Sequence, residues 1–272
     1  MSGKVILLTS DHPWARALAH AARALAHAMV ESGIFLKGII VETAPQPKCW
    51  KQVLHDLMGE DLYLSLVSRR WPAETRQLVL AERKLQRNAE LQLADCLGGH
   101  SHRFPKTQTV FTDDLNSDMA YQFLQSEAPD LVVTFATGLL RKRTFEIGRL
   151  GAINAHTSVL PDYRGSWPEF WQIYDQAYAK TGITIHFIDE GVDTGDIVHR
   201  HHVPVSEDTD PFVLRTLNTM QIVRDYPRVI QKVLSGTNSR SPQPASTTPT
   251  RRHRDVTLEK KRELFQRLNV LC

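Results

Sequence analysis

Two short runs without polar alternation, "KVILLTS" at 4–10 and "FLKGIIVE" at 35–42, constrain the fold more than any other feature of the chain. A strand that is apolar at successive positions is covered on both faces. Between the runs, Ser10, Asp11 and Pro13 supply helix-start signals, and Leu18, Ala22, Leu25 and Met29 recur at helical spacing up to Gly33. Strand, helix and strand in this order make a parallel crossover unit, which winds right-handed. The alternation continues through a loop with Pro45 and Pro47, a helical stretch over 74–97, an extended run at 106–112 and a helix over 116–127. "DLVVTFA" at 130–136 and "GAINAH" at 151–156 add two further strands. The pattern predicts an α/β fold built on a doubly wound, mostly parallel sheet.

Beyond this sheet, "GITIHFID" (182–189) and "DIVHRHHVPV" (196–205) are short strand candidates, and a helix over 210–234 carries Val213, Leu217, Ile222 and Val229. The segment 236–254, "GTNSRSPQPASTTPTRRHR", has no large apolar residue and cannot bury a core. The expected organisation is an α/β domain over 1–205, a packing helix over 206–235, and an exposed linker with a short C-terminal helix over 236–272, Thr257 serving as its cap.

Composition sets outer limits. With 272 residues, 42% of them hydrophobic and 23% charged, the chain has material for one large core. No apolar run approaches the roughly 20 residues that cross a bilayer, and the N-terminus lacks a signal-type segment, so a cytoplasmic location without a membrane partner is expected. Cys49, Cys96 and Cys272 show no Cys-x-x-Cys spacing and read as reduced structural thiols. The net charge of +3 is mild, and much of it lies in "RRHR" at 251–254, a solvated tail rather than a nucleic-acid footprint.

Ligands of open α/β sheets collect beyond the carboxyl ends of the strands. Asn154 and His156 occupy such an end, two residues apart and therefore on one side of the strand, before the chain breaks at Leu160-Pro161 into "DYRG". Each alone reads equally as a buried polar group completing core hydrogen bonds. A second constellation is "HFIDEGVDTGDIV" at 186–198, where Asp189, Glu190 and Asp193 crowd among glycines. A hairpin turn accounts for Glu190-Gly191; Asp193, held before the Thr194-Gly195 bend, is placed to face an imidazole and favour its charged form. A third cluster, "HRHH" at 199–202 with His186, puts His199 and His201 on one face and His202 on the other, yet no Asp, Glu or Cys accompanies them at ligand spacing. It reads as a structural face, and no metal site is expected.

"NAHTSVLPDYRG" followed by "TGITIHFIDEGVDTGDI" resembles the folate-dependent formyltransferase family, whose pattern is Asn-x-His-x-x-x-Leu-Pro-x-x-x-Gly and then a strand and loop ending in Asp-x-Gly. "APDLVVTFATGLL" (128–140) resembles the preceding family strand, so the likeness covers 128–205 closely and the N-terminal part only in architecture. In character it is nearest the members that formylate amino sugars. The resemblance implies a catalytic trio of Asn154, His156 and Asp193, with 10-formyltetrahydrofolate as formyl donor and a small-molecule primary amine as acceptor. It implies a pterin site along two loops, formed by Ala136, Gly138, Leu139, Leu140, Ile188, Glu190 and Gly191. Gly138 and Gly191 either admit close approach of the donor or serve their own turns. Asn154 and an imidazolium at His156 would donate to a developing oxyanion, each such donor being worth about 10² to 10³ in rate, while Asp193 orients His156 or a proton-carrying water.

For the acceptor, the resemblance suggests Ser10, Arg164, Gly165, Trp167 and Trp171. The aromatic residues of "YRGSWPEFWQIY" either stack on a sugar or base or belong to the core. The glycine-rich phosphate loop of members acting on glycinamide ribonucleotide has no counterpart in "LLTSDHPWARAL". The residues after 205 leave no room for the β-barrel of members acting on Met-tRNA. A formyl-folate hydrolase and a non-catalytic folate-binding module are the remaining readings, and a homodimer is compatible with the pattern. Residues 44–100 depart most from the family, and a lid, a dimer contact and an acceptor pocket stay open for them.

Overall fold

The computed structural model describes residues 3–11, 16–43, 66, 68–98 and 103–271. The loop with Pro45 and Pro47, the Pro13 helix-start signal, Cys49 and Cys272 lie outside them. Seven strands form one sheet: β1 (Lys4–Asp11), β2 (Phe35–Thr43), β3 (Gln108–Thr112), β4 (Leu131–Phe135), β5 (Ala152–His156), β6 (Gly182–Phe187) and β7 (Ile197–His202). Their order is β3-β2-β1-β4-β5-β6-β7, parallel through β5 and antiparallel from β5 to β7. The doubly wound, mostly parallel sheet is the expected one. It differs in one respect: the two late strand candidates belong to the same sheet, and the acidic loop between them joins a hairpin at its edge. All six residues of β6 are buried, so this strand needs a neighbour on each side and gains one from β5 and one from β7.

The described helices are α1 (Arg16–Glu31), α2 (Ala73–Leu97), α3 (Asp118–Glu127), the single turn α4 (Lys142–Phe145), α5 (Pro168–Tyr174), α6 (Pro211–Ser235) and α7 (Leu258–Arg267). On one face of the sheet, Leu25 and Met29 of α1 and Ile222, Tyr226 and Ile230 of α6 cover Val5, Leu7, Ile153, Ile183 and Ile185. On the other, Ala120 and Leu124 of α3 and Phe145 of α4 cover Ile6, Leu8, Val132 and Ala152. The helix α6 starts where expected. Pro211 opens it, and the Asp210 carboxylate accepts from the amides of Phe212 (2.8 Å) and Val213 (3.0 Å). The helix α2 packs against α1 and α6, so this part of the 44–100 stretch is a wall of the fold. Cys96 is exposed on α2 and is a surface thiol, not the structural one expected, because this helix turns only a narrow stripe (Leu78, Ala89, Leu93) inward. No described helix is long and apolar enough to cross a membrane.

The segment 236–254 is largely exposed, as its composition requires, but it is bound along its length as a strap. Ser241 exchanges two backbone hydrogen bonds with Ile197 and so covers part of the free edge of β7 (2.8 and 3.0 Å). Thr247 donates to Asp162 from its amide (2.7 Å) and its hydroxyl (2.8 Å), and Lys180 reaches the same carboxylate at 2.8 Å. The Tyr163 amide donates to Thr248 Oγ1 (2.7 Å), and Arg251 pairs with Arg164 and Ser166 through the backbone. Gly165 is required by this approach: its φ is +95°, and a Cβ there would lie 2.0 Å from the Arg251 carbonyl oxygen. The strap then delivers α7, capped by Thr257 as expected, whose Leu264 and Phe265 are fully buried with Trp167, Phe170, Trp171 and Phe212. Residues 206–271 are thus part of the packing of the sheet domain.

Burial alone would raise the Asp162 carboxyl; hydrogen bonds from Lys180 and Thr247 outweigh it and lower it to about 2. A carboxyl depressed in the folded state stabilises above its unfolded value of about 3.9, and this is lost as pH falls through the folded value. Asp162→Asn is expected to cost about 2 kcal/mol at neutral pH, with a loss that shrinks between pH 4 and pH 2, measured by urea unfolding across that range. A constant loss over the whole range would refute the charge-based account.

Candidate active site

The ladder between β4 and β5 ends at the pair Thr134 and Asn154, beside the point where the chain leaves β1 in opposite directions. Here Tyr226 of α6 sets its hydroxyl against the carbonyl oxygens of Ile153 (2.8 Å) and Thr134 (3.1 Å), which keeps the strand ends in place. The Thr134 hydroxyl donates to Asn154 Oδ1 at 2.7 Å. That bond fixes the Asn154 amide: its oxygen is taken, so its N–H groups face outward and toward His186 Nε2 at 3.3 Å.

The structure brings Asn154, His156 and Asp193 together. Asp193 Oδ2 lies 3.6 Å from His156 Nδ1, and Asp193 Oδ1 lies 3.5 Å from His186 Nε2. Thus His186 stands between Asn154 and Asp193 as a fourth member, which the sequence reading had not placed in the site. Its position follows from the register: Asn154 and His186 are direct cross-strand partners on β5 and β6, on one face of the sheet. The signal was a polar residue in an otherwise apolar strand, "GITIHFI".

Hydrogen bonding assigns the tautomers. His156 Nε2 must donate to the Tyr163 carbonyl (2.9 Å), and His186 Nδ1 must donate to the Phe187 carbonyl (2.8 Å), because a carbonyl only accepts. One nitrogen of each ring remains, and both face Asp193. His186 Nε2 serves one neighbour at a time: neutral, it accepts from Asn154; protonated, it donates to Asp193. Burial pushes the Asp193 carboxyl up, but the charge of His156, the hydrogen bond of His186 and the Gly165 amide (2.8 Å) overcome it and hold the group well below the usual carboxylate range. Asp193 itself sits at φ +52°, in the left-handed region. The strap holds it there. Gln243 Nε2 donates to the carbonyls of Asp193 (2.9 Å) and Gly195 (2.7 Å), while its Oε1 accepts from Arg164 (2.8 Å). No periodicity or motif marks Gln243 within its polar segment.

The two loops expected to hold a pterin are joined. Leu140 and Ile188 pack on one core cluster, and Lys142 reaches Glu190 at 2.6 Å. Ala136 adopts a left-handed φ of 56°, and the Leu139 carbonyl accepts from Asn116 (3.0 Å), which leaves its side chain exposed. A Cβ at Gly138 would meet open space, whereas one at Gly191 would lie 2.0 Å from Thr194 Oγ1. Gly191 therefore serves its own turn, and Gly138 answers to no close contact within the described protein. An open depression of about 500 Å³ lies toward the amino end of β5, lined by Phe145, Glu146, Leu150, Gly151, Ala152, Phe187, Ile188, Asp189, Glu190 and Arg240, and its lining includes none of Asn154, His156, His186 and Asp193.

The acceptor residues fare differently. Ser10 is buried at the end of β1 and donates to Glu42 Oε2 (3.0 Å). Arg164 and Gly165 are occupied with the strap. Trp167 and Trp171 are corrected from acceptor residues to core residues. Trp171 is 1% exposed, with Arg251 over its ring at 4.1 Å; Trp167 is stacked by His253 at 5.5 Å. The reason is the C-terminal segment, which folds back and closes both rings.

A sequence profile described as formyl transferase matches residues 61–225. The chain is 35% identical over 132 residues to the methionyl-tRNA formyltransferase of Macrococcus caseolyticus, covering 48% of this chain and 42% of that protein. It is 44% identical over 85 residues to that of Clostridioides difficile, covering 31% and 27%. The chain thus matches less than half the length of these curated relatives. Among solved structures, a sugar N-formyltransferase from a Shewanella species superposes with a TM-score of 0.58 at 13% identity, over 98% of this chain and 88% of that one. Glycinamide ribonucleotide transformylase 1 from Symbiobacterium toebii gives 0.55 at 18%, over 89% and 94%. At such identities these two share the fold.

Gln243→Ala removes two hydrogen bonds from the loop that carries Asp193 and a third from Arg164. A local loss of about 2 kcal/mol is expected to speed amide exchange in residues 189–196 by about 30-fold, with the central strands unchanged, in a hydrogen-exchange measurement by mass spectrometry. Unaltered exchange in that segment would show that the strap does not restrain the loop.

Proposed function

Since the chain belongs to the formyl transferase family, we propose that it transfers a formyl group from 10-formyltetrahydrofolate to the primary amine of a small molecule, with an amino sugar nucleotide as leading acceptor. The observation that carries the reading is the convergence of Asn154, His156, His186 and Asp193 at the carboxyl ends of β4 and β5.

The residues present fit a folate donor. The depression bordered by Ile188 and Glu190 has an apolar wall in Phe145 and Phe187 and a carboxylate rim in Asp189 and Glu190, suited to a flat, hydrogen-bonding heterocycle. Open space at Gly138 allows the donor to approach the backbone of the 136–140 loop. When bound, the donor supplies an activated formyl carbon. Asn154, its oxygen held by Thr134, presents amide N–H groups to the oxygen on which negative charge builds. His156 Nδ1 faces the Asp193 carboxylate at 3.6 Å. Asp193 keeps 15% of its side chain accessible against 8% for His156, so a proton taken from the incoming amine passes through the carboxylate or a water bound to it. This assigns His156 a role beside Asp193 rather than at the oxyanion, because its Nε2 is held by the Tyr163 carbonyl and its Nδ1 faces Asp193.

After α6 the chain returns as the strap and α7 to the sheet domain, where it closes the aromatic cluster. The amino sugar reading rests on the resemblance of the segment after Arg164-Gly165 to members that formylate amino sugars; its tryptophans lie in the core cluster and contribute no acceptor contact. The names of the curated relatives favour a second reading, formylation of Met-tRNA.

An acceptor screen decides between them. Consumption of 10-formyltetrahydrofolate is expected with a nucleotide-linked amino sugar present, and absent with Met-tRNA, glycinamide ribonucleotide or no amine. Asn154→Ala is expected to lower kcat by about 10² to 10³, and His156→Ala and Asp193→Ala to abolish turnover with the circular dichroism spectrum retained. Donor breakdown without amine would make the protein a hydrolase, and tight folate binding without turnover a binding module; either result ends the proposal.

A further inference from the structure

On the opposite face of β7 from the site, three side chains converge that the reading of the sequence left apart. His199 Nε2 lies 3.2 Å and His201 Nδ1 3.0 Å from a single atom, Asp225 Oδ2, and the three atoms are all within 4.8 Å of one another. His199 and His201 alternate along β7 and pair with Ile185 and Ile183. They therefore share the face of the sheet that α6 covers, whereas His186 and Asn154 occupy the other. Asp225 comes from α6, 24 residues beyond His201, and its carboxylate is aimed at the strand. Spacing within "HRHH" gave no hint of it, because the third group is supplied by a helix that docks on the strand.

We propose that His199, His201 and Asp225 form a binding site for a divalent transition-metal ion, zinc above all. Two imidazoles and one carboxylate are a zinc donor set, and a fourth position is left to water. Around a tetrahedral zinc with bonds of about 2.0 to 2.2 Å, ligand atoms stand about 3.3 Å apart, close to the 3.0 and 3.2 Å found here. The ligands are half-buried and can be reached from solvent, with side-chain exposures of 33%, 42% and 13%. A fourth residue supports the geometry: Gln221, one helical turn before Asp225 and itself buried, donates to Asp225 Oδ2 at 2.7 Å and holds the carboxylate toward the histidines. Without metal, His199 Nε2 donates to the carboxylate and His201 Nδ1 accepts from Gln221 Nε2 at 3.2 Å; metal uptake replaces both contacts with bonds to the ion and cross-links the edge strand to α6. The site is independent of the formyl-transfer reading and stands or falls separately.

The test uses tag-free protein dialysed against a chelator. Calorimetric titration with zinc is expected to show one equivalent taken up, and thermal unfolding a rise in unfolding temperature. The double variant His199→Ala/His201→Ala and the shape-conserving Asp225→Asn are each expected to lose both effects. Gln221→Ala is expected to weaken binding about 10- to 100-fold. Cobalt in place of zinc should give the visible absorption of a four-coordinate ion in wild type alone. Absence of a stoichiometric step in wild type, or a step kept by Asp225→Asn or by the double variant, overturns the site.

Discussion

The buried carboxylate of Asp193 is the constraint on which the rest of the arrangement depends. An ionised acid taken out of water is tolerated only when opposite charge and donors surround it. Here these are His156, His186 and the Gly165 amide, contributed by β5, β6 and the loop after β5. Each has to be in register for the others to be useful. The antiparallel pairing that sets His186 opposite Asn154, and the left-handed turn that brings Asp193 back over them, are thus parts of one electrostatic solution.

The fold serves this solution by rigidity where the strands end. Parallel strands leave their last carbonyls without partners when the sheet splays, and the Tyr226 hydroxyl occupies that gap between β4 and β5. Its own ionisation is pushed well upward by complete burial, so it stays a neutral donor there. A neighbouring threonine then needs only one bond to orient Asn154. The chemistry is supported from behind by a helix, with no mobile group between.

The sheet and most helices were legible because their burial is written in local periodicity. The runs at 4–10 and 35–42, the stripe of α1 and the span of α6 all read directly. The trio was legible because motif spacing and strand alternation agree. Three things were not. The parity of β6 was visible, but its partner was not, so His186 entered only with the register. Trp167 and Trp171 looked available because the segment that covers them lies about eighty residues on. The strap was read as a linker because its composition excludes a core, which is correct; it is held instead by side-chain and backbone hydrogen bonds, which composition does not encode.

The strap also bears on the order in which the protein becomes competent. During synthesis Asp193 leaves the ribosome while Gln243, 50 residues later, is still unmade. Until then the Asp193 turn is unsupported and two tryptophans are bare. The strap's contacts therefore arrive late in synthesis, and the apolar surface exposed before them is a natural client for chaperones.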